Sequence, residues 1–213
     1  MAAPQRKQET GGTVGFERVV AFSDGVFAIA ITLLVLALGV PELPDSRAAE
    51  ELPDALRELA PQVLSYFIGF AVIGAFWRGH HAFTGELRQF DSTLMTLNLG
   101  LLAFISLMPF TTGVFGRYGD VEIAIVLYAA NVVAASALDT AMLWVAQRRR
   151  LLTEEPADPA ADLLGNAWPG IVFLVSIPVA LLDAGSAKYV WLGLLLGPAI
   201  RRGRERRKGA AGG

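Results

Sequence analysis

The sequence contains no cysteine, and only two of its 213 residues are histidine. Without cysteine there can be no disulfide framework, no thiolate metal site and no thiol nucleophile. The H-E-x-x-H pattern of zinc hydrolases and the G-x-S-x-G pattern of serine hydrolases are also missing. These absences remove several enzyme classes. We expect that the chain is not an enzyme, that it binds no metal or other cofactor and that it has no nucleic-acid partner.

Apolar residues, in contrast, are abundant. They make up 54% of the chain, and the mean hydropathy is +0.48, which is ordinary for a protein that crosses a membrane several times. The run from Val26 to Val40 contains no charged residue. The 19 residues from Phe22 to Val40 would form about 28 Å of helix, close to the hydrocarbon thickness of a bilayer. The sequence thus predicts an all-α integral membrane protein.

Six apolar segments are expected to span the membrane as helices within one domain, 16–200. A disordered polar tail, 1–15, is expected before this domain and a basic tail, 201–213, after it. An acidic loop with a short surface helix from Asp54 is expected between the first two spans, and Asp91 is expected to cap the third. The predicted spans are about 17–40, 61–83, 91–115, 121–147, 163–182 and 188–200.

The positive charges are divided unequally between the two predicted sides of the membrane. The side that would hold both termini contains 14 Lys and Arg residues, and the other side contains 4. Because positively charged loops remain in the cytoplasm, both termini are expected there, in a multi-pass protein of the cell membrane. The basic tail could also bind anionic membrane lipids.

The first predicted span carries polar residues at its entrance and an apolar stripe beyond them. Asp24 lies about 140° around the helix from Ile29, and Ser23 lies about 120° away in the opposite sense, so neither faces the stripe. Arg18 falls about 20° from it. An ionisable group at the depth of Asp24 normally faces protein or water and marks a function. The stripe consists of residues at i, i+4 and i+7 with a threonine beside it: Ile29, Leu33, Leu36 and Thr32.

Partners for Asp24 are expected on the second predicted span. Trp77, His80 and His81 share one face near its cytoplasmic end, at the depth of Asp24. An indole N–H and an imidazole can both donate to a carboxylate, and an unpaired buried charge would cost several kcal/mol. We therefore expect a polar network here rather than separate interfacial residues. Asp139, in the fourth span, could be functional or could bond Asn or Ser neighbours between helices.

Several motifs resemble the transmembrane protein 175 family of potassium channels. The segment from Arg18 to Asp24 matches its R-x-x-x-F-S-D signature and is followed by a similar apolar run. Trp77, His80 and His81 resemble its second-helix W-x-x-H-H, and residues 98–110 resemble its third helix. The chain also lacks a TVGYG-like selectivity loop, as that family does. Having one six-helix unit, it resembles the prokaryotic branch of the family.

The resemblance implies a homotetrameric, potassium-permeable cation channel with a central pore lined by the first helices. It implies that Ile29, five positions after the signature Asp, forms the constriction, with Leu33 and Leu36 beyond it and Thr32 as a polar layer. It further implies a structural network that holds the pore helix and consists of the signature residues and their partners on the second helix: Arg18, Phe22, Ser23, Asp24, Trp77, His80 and His81.

Two other functions remain as alternatives. The first is a proton-coupled secondary transporter with Asp24, His80 and Asp139 as a relay, although no paired repeats or matching broken helices support it. The second is a membrane-embedded hydrolase in which the two histidines and an aspartate bind metal, although no hydrolase motif supports it.

Overall fold

The structure, a computed structural model, describes the backbone of residues 6–195 and the side chains of residues 15–194. This part of the chain is helical, and a single isolated β-bridge joins two of its loops. Short 3₁₀ turns follow the first and the last helix. The α-helices are α1 (Arg6–Leu33), α2 (Ala48–Glu58), α3 (Ala60–Gly85), α4 (Ser92–Arg117), α5 (Glu122–Arg148), α6 (Pro159–Leu182) and α7 (Ala184–Val190).

The helices α4 and α5 form the centre of the bundle. α4 packs against α1, α3 and α5, while α6 packs on the far side of α5 and is followed by α7. A glycine allows the close approach of α3, because a Cβ at Gly69 would lie only 2.8 Å from Thr112 of α4 and 3.1 Å from Leu34. In their most apolar windows α4 and α5 have 44% of residues buried, against 22% for α1, so α1 lies at the periphery of the single chain.

Five helices of the described part are long and apolar enough to cross a membrane. They correspond to the first five predicted spans, and in this respect the all-α membrane architecture agrees with the sequence. The sixth predicted span, 188–200, differs from the structure. Here α7 begins earlier, at Ala184, and a 3₁₀ turn, Trp191–Leu195, follows it, while residues 196–200 lie outside the described part. The count of six spans therefore stays a prediction.

The first helix differs from its predicted bounds at both ends. It begins at Arg6, so the part of the predicted disordered tail from residue 6 onward is helical, because extending an existing helix adds a hydrogen bond for each residue fixed. At its other end the α-helix stops at Leu33 and a 3₁₀ turn, Leu34–Ala37, continues the rod, as often happens at helix C-termini. In a 3₁₀ turn every third residue points the same way, so Leu36 stays aligned with Leu33.

Helix caps explain two other bounds. Asp91 accepts a hydrogen bond from the backbone N–H of Leu94 at 2.8 Å, as predicted for the start of α4. Asp158 similarly caps α6 by accepting from the N–H of Ala161 at 3.0 Å, and Pro159 occupies the first turn. This cap starts α6 four residues before the predicted bound. The surface helix α2 also begins before its predicted start, at Ala48 rather than Asp54.

Candidate functional site

One face of α1, continued by the first residue of the 3₁₀ turn, is buried against the rest of the chain. Ser23, Phe27, Ala30 and Leu34 follow one another at spacings of three and four residues, and none is more than 1% exposed. This spacing keeps their side chains on one side of a helix. They pack toward α3 and α4, the two long helices that α1 contacts. The buried face thus fixes the rotation of α1 within the bundle.

The opposite face of α1 and of the 3₁₀ turn after it is partly exposed in the single chain. Ile29 is 59% exposed, Leu33 42% and Leu36 75%, while Leu34 is fully buried. Thr32 is exposed as well, and its hydroxyl donates to the carbonyl of Ile29 at 2.8 Å. The side chains of the predicted apolar stripe are therefore only partly covered by their own subunit, Leu33 the most and Leu36 the least. They are available to line a pore or to contact other molecules.

Asp24 is bonded to the second long helix of the bundle. The indole Nε1–H of Trp77 donates to Asp24 Oδ1 at 2.9 Å. His81 stacks on the same indole, with ring centroids 5.5 Å apart and planes inclined by 26°. The indole that donates to the Asp24 carboxylate is thus covered on one face by the imidazole of His81. This contact joins α1 to α3 on the flank of α1 that points away from the stripe.

A second set of polar contacts is fully buried and centres on Asn98. Its Nδ2 donates to Ser23 Oγ at 3.0 Å, so its Oδ1 accepts from Nε2 of His80 at 2.8 Å. Ser23 in turn donates to the carbonyl of Val19 at 3.0 Å. The Thr84 hydroxyl donates to the carbonyl of His80 at 2.9 Å. One amide therefore links α1, α3 and α4 at a single level of the bundle.

His80 forms its hydrogen bond with a residue other than Asp24, the partner expected from the sequence. The sequence offered its imidazole as a donor to Asp24, but His80 bonds Asn98 instead, because its 1% exposed ring points into the core next to Phe27. Asn98 was not among the predicted site residues. An amide within the apolar segment 91–115 was the available signal, since such a group needs a partner between helices.

The structure brings five of the predicted network residues together and leaves two apart. Arg18 and Phe22 lie on the exposed face of α1, on the same side as the stripe, and Phe22 is 56% exposed. The five residues that share the polar and ring contacts between α1, α3 and α4 are Ser23, Asp24, Trp77, His80 and His81.

Asp139 lies in a separate polar contact between α5 and α6. It accepts from Asn166 Nδ2 at 2.8 Å, and one turn earlier Ser136 Oγ accepts from the backbone N–H of Gly170 at 3.1 Å. These bonds join neighbouring helices, the structural role considered for Asp139 in the sequence. Within the described residues no group of three His, Cys, Asp or Glu side chains could hold a metal ion.

Comparison with known proteins identifies the family. Residues 18–109 match the family model described as the endosomal/lysosomal potassium channel TMEM175. A protein of Streptomyces collinus named as a potassium channel is 36% identical over 149 residues, which are 68% of this chain and 71% of that one. The chain belongs to the TMEM175 family. TMEM175 proteins are ion channels, so membership confirms the expectation that the chain is not an enzyme and counts against the hydrolase alternative.

The fold and the length of the relatives refine this comparison. A crystal structure described as a lysosomal potassium-selective channel TMEM175 homolog from Chamaesiphon minutus superimposes with a TM-score of 0.75 at 26% identity, covering 88% of this chain and 97% of that one. The mouse TMEM175 protein, named an endosomal/lysosomal proton channel, is 34% identical over 136 residues. Those residues are 60% of this chain but only 27% of the mouse protein. The chain is thus comparable in length to the bacterial relatives and much shorter than the mouse one.

Proposed function

We propose that the chain is a subunit of a potassium-permeable cation channel that conducts passively through a central pore. Its family membership supports this, as does the name of the Streptomyces relative, a potassium channel of which the chain covers 71%. The mouse relative is named a proton channel, but the chain covers only 27% of it. The permeant ion is therefore taken to be K⁺, with no cofactor involved.

The observation that carries the proposal is the division of α1 into two faces. The buried face, with Phe27 and Leu34, anchors the helix to its own subunit. The face with Ile29, Leu33 and Leu36 is partly exposed in the single chain. The exposed residues Thr32 and Arg18 lie beside this face, so it is not apolar throughout. First helices from several copies, arranged around an axis, would place Ile29 at the constriction and Thr32 as a polar layer beside it.

A central pore of this kind requires several copies of the chain. One α1 helix cannot enclose a path for ions, and a closed ring of identical subunits is the usual solution. We assign a homotetramer surrounded by membrane lipids, the assembly implied by the resemblance to the prokaryotic branch. A mass measurement in native-like lipid that found only monomers or dimers would contradict this assignment.

Both termini are placed in the cytoplasm of a cell-membrane protein. The uneven distribution of 14 and 4 positive residues supports this orientation. The segment after α6 turns back alongside it, because Trp168 Nε1 donates to the carbonyl of Gly193 at 3.1 Å. Trp168 is nine residues from the start of the 24-residue helix α6, so by Gly193 the returning chain is level with about the middle of that helix. Labelling of a cysteine near residue 205 from the outside of intact cells would contradict the orientation.

The polar contacts between α1 and its neighbouring helices are proposed to hold the pore helix in place rather than to bind the permeant ion. Replacing Asp24 with Asn keeps an oxygen for the Trp77 N–H but removes the charge, at a cost of roughly 1 kcal/mol for the weaker hydrogen bond. We expect Asp24→Asn to lower thermal stability or the tetramer fraction while the K⁺ to Na⁺ reversal potential is unchanged. The matched control is Asp54→Asn, a change in the exposed surface helix. Normal stability with altered selectivity would make Asp24 an ion ligand instead.

The alternative, a proton-coupled transporter, is less well supported by these contacts. Asp24 accepts a hydrogen bond from Trp77, and an indole can donate through its N–H but carries no acceptor atom, so this pair cannot pass a proton onward. Asp139 belongs to the contact between α5 and α6, and α4 lies between that contact and α1. K⁺ flux into liposomes should therefore be passive and follow the electrochemical gradient of K⁺. Accumulation of K⁺ against its gradient, driven by a pH gradient, would favour the transporter.

A further inference from the structure

Two loops at one end of the bundle are joined by a short antiparallel contact. They connect α3 to α4 and α5 to α6, and Leu87 pairs with Leu152 in a β-bridge. The backbone N–H of Thr153 donates to the carbonyl of Glu86 at 2.7 Å, and that of Arg88 donates to the carbonyl of Leu151 at 2.9 Å. We refer to residues 86–91 and 149–153 together as the interloop clamp.

Side chains strengthen the interloop clamp. Leu87, Leu151 and Leu152 are all buried, although they belong to loops. Arg88 Nη2 donates to the carbonyl of Thr153 at 2.8 Å, and the Thr153 hydroxyl donates to the carbonyl of Glu86 at 2.9 Å. The two loops are thus tied by hydrogen bonds of both backbone and side chains and covered by apolar packing.

Asp91 extends the clamp to the ends of two long helices. Its Oδ1 accepts from the N–H of Leu94 and caps α4, while its Oδ2 pairs with Nη1 of Arg149 just after α5. The Leu94 N–H and then the Arg149 guanidinium hold the pKa of this carboxyl below its usual range. A lowered pKa means that the stabilisation is fully present above the ordinary carboxyl pKa and is lost only as the pH falls through the lowered one. The Asp91 contacts therefore persist in mildly acidic conditions.

The clamp also touches the first helix. Phe90, next to Asp91, contacts Phe16 of α1 with ring centroids 5.9 Å apart. In the bundle α4 separates α1 from α5 and α6. Through Leu152, Leu87 and Phe90 the loop after α5 is connected to the helix that carries Ile29, thirteen residues beyond Phe16. A rigid helix transmits a displacement at one end to residues along its length.

We propose that the interloop clamp positions α1 through the contact of Phe90 with Phe16, and so sets the balance between the open and closed states of the pore. Phe90 and Arg149 are positioning residues, and neither contacts the stripe. The gating part of this inference rests on the proposed channel function. The positioning part concerns only the placement of α1, so it can be tested without any ion current.

The test compares variants of the full-length protein reconstituted in lipid. Phe90→Ala removes the aromatic contact, Phe90→Leu keeps an apolar side chain, and Arg149→Gln breaks the pair with Asp91. Glu155→Gln is the matched control, because it removes an exposed ion pair, to Arg150, in the same connection between α5 and α6. Two quantities are measured: the open probability together with the reversal potential, and hydrogen exchange of the amides from Gly15 to Val20.

For Phe90→Ala we expect the ratio of open to closed channels to change about twofold to tenfold, the range that an aromatic contact supports. The reversal potential should stay constant and amide exchange at the start of α1 should increase. Phe90→Leu and Arg149→Gln should give smaller changes in the same direction, and Glu155→Gln none. If Phe90→Ala matched the control in both gating and exchange, the proposal would be overturned. If the wild-type protein carried no current while exchange still rose in Phe90→Ala, the channel function would fail and the positioning role would stand.

Discussion

Replacing Ile29 with asparagine is expected to raise the resting cation leak about tenfold or more, the change that corresponds to about 1.4 kcal/mol of barrier. A narrow ring of isoleucine side chains offers no oxygen to replace the hydration water of an ion, so it empties of water and blocks conduction until it widens. An amide at this position provides polar atoms that keep the ring wet. Because Ile29 is 59% exposed and packs little against its own subunit, the substitution should not unfold the chain.

The control for this prediction is Ile29→Leu, which keeps an apolar ring of similar volume and should leave the leak unchanged. Leak currents of purified protein in planar bilayers compare the three proteins directly. An unchanged leak in Ile29→Asn would place the constriction elsewhere.

Cysteine labelling locates the stripe independently, since the natural sequence has no cysteine. Single cysteines at Ile29, Leu33 and Leu36 should react with water-soluble reagents in the open state, whereas one at the buried Leu34 should not. The reverse pattern, reaction at Leu34 and protection of the other three, would contradict the pore assignment.

Replacing Asn98 with alanine is expected to destabilise the protein by about 1 to 3 kcal/mol, the cost of leaving buried polar groups without partners. The change removes the acceptor for His80 Nε2–H and the donor to Ser23 Oγ at once. Ser23 keeps its bond to the carbonyl of Val19, so most of the cost falls on the imidazole. Because three helices meet at Asn98, the loss should loosen the packing of α1 as well as lower the thermal unfolding temperature.

Ser106→Ala is the matched control on the same helix. The Ser106 hydroxyl donates to the carbonyl of Leu102 at 2.8 Å, within its own helix, so its loss separates no two helices. Thermal unfolding in detergent or lipid measures both variants. Equal unfolding temperatures for Asn98→Ala and Ser106→Ala would mean that the Asn98 contacts do not hold the bundle together.

Two kinds of contact could be predicted from the sequence: a contact between residues at the same depth on neighbouring helices, and a helix cap. Trp77 and Asp24 fall at the same level when an antiparallel pair of spans is laid out, and the structure joins them at 2.9 Å. The N-cap of α4 at Asp91 followed from local chemistry alone. In both cases the information lies within one span or in the order of two adjacent spans.

The features that could not be predicted depend on rotation and packing between helices. Asn98 selects His80 because of how α3 and α4 turn toward each other, and a single apolar segment does not specify this. The 3₁₀ turn at Leu34–Ala37 has the same apolar composition as the helix before it. The early start of α6 is different, since the cap at Asp158 with Pro159 behind it is a recognised signal in the sequence. The predicted span nevertheless begins only at residue 163.

The reversal potential of the reconstituted wild-type protein, with K⁺ on one side of the membrane and Na⁺ on the other, tests the central claim most directly. A passive potassium-permeable channel should give a current that reverses close to the K⁺ equilibrium potential, and an added pH gradient should not move the reversal. A reversal that follows the pH gradient, or the absence of any passive cation current, would contradict the proposed function.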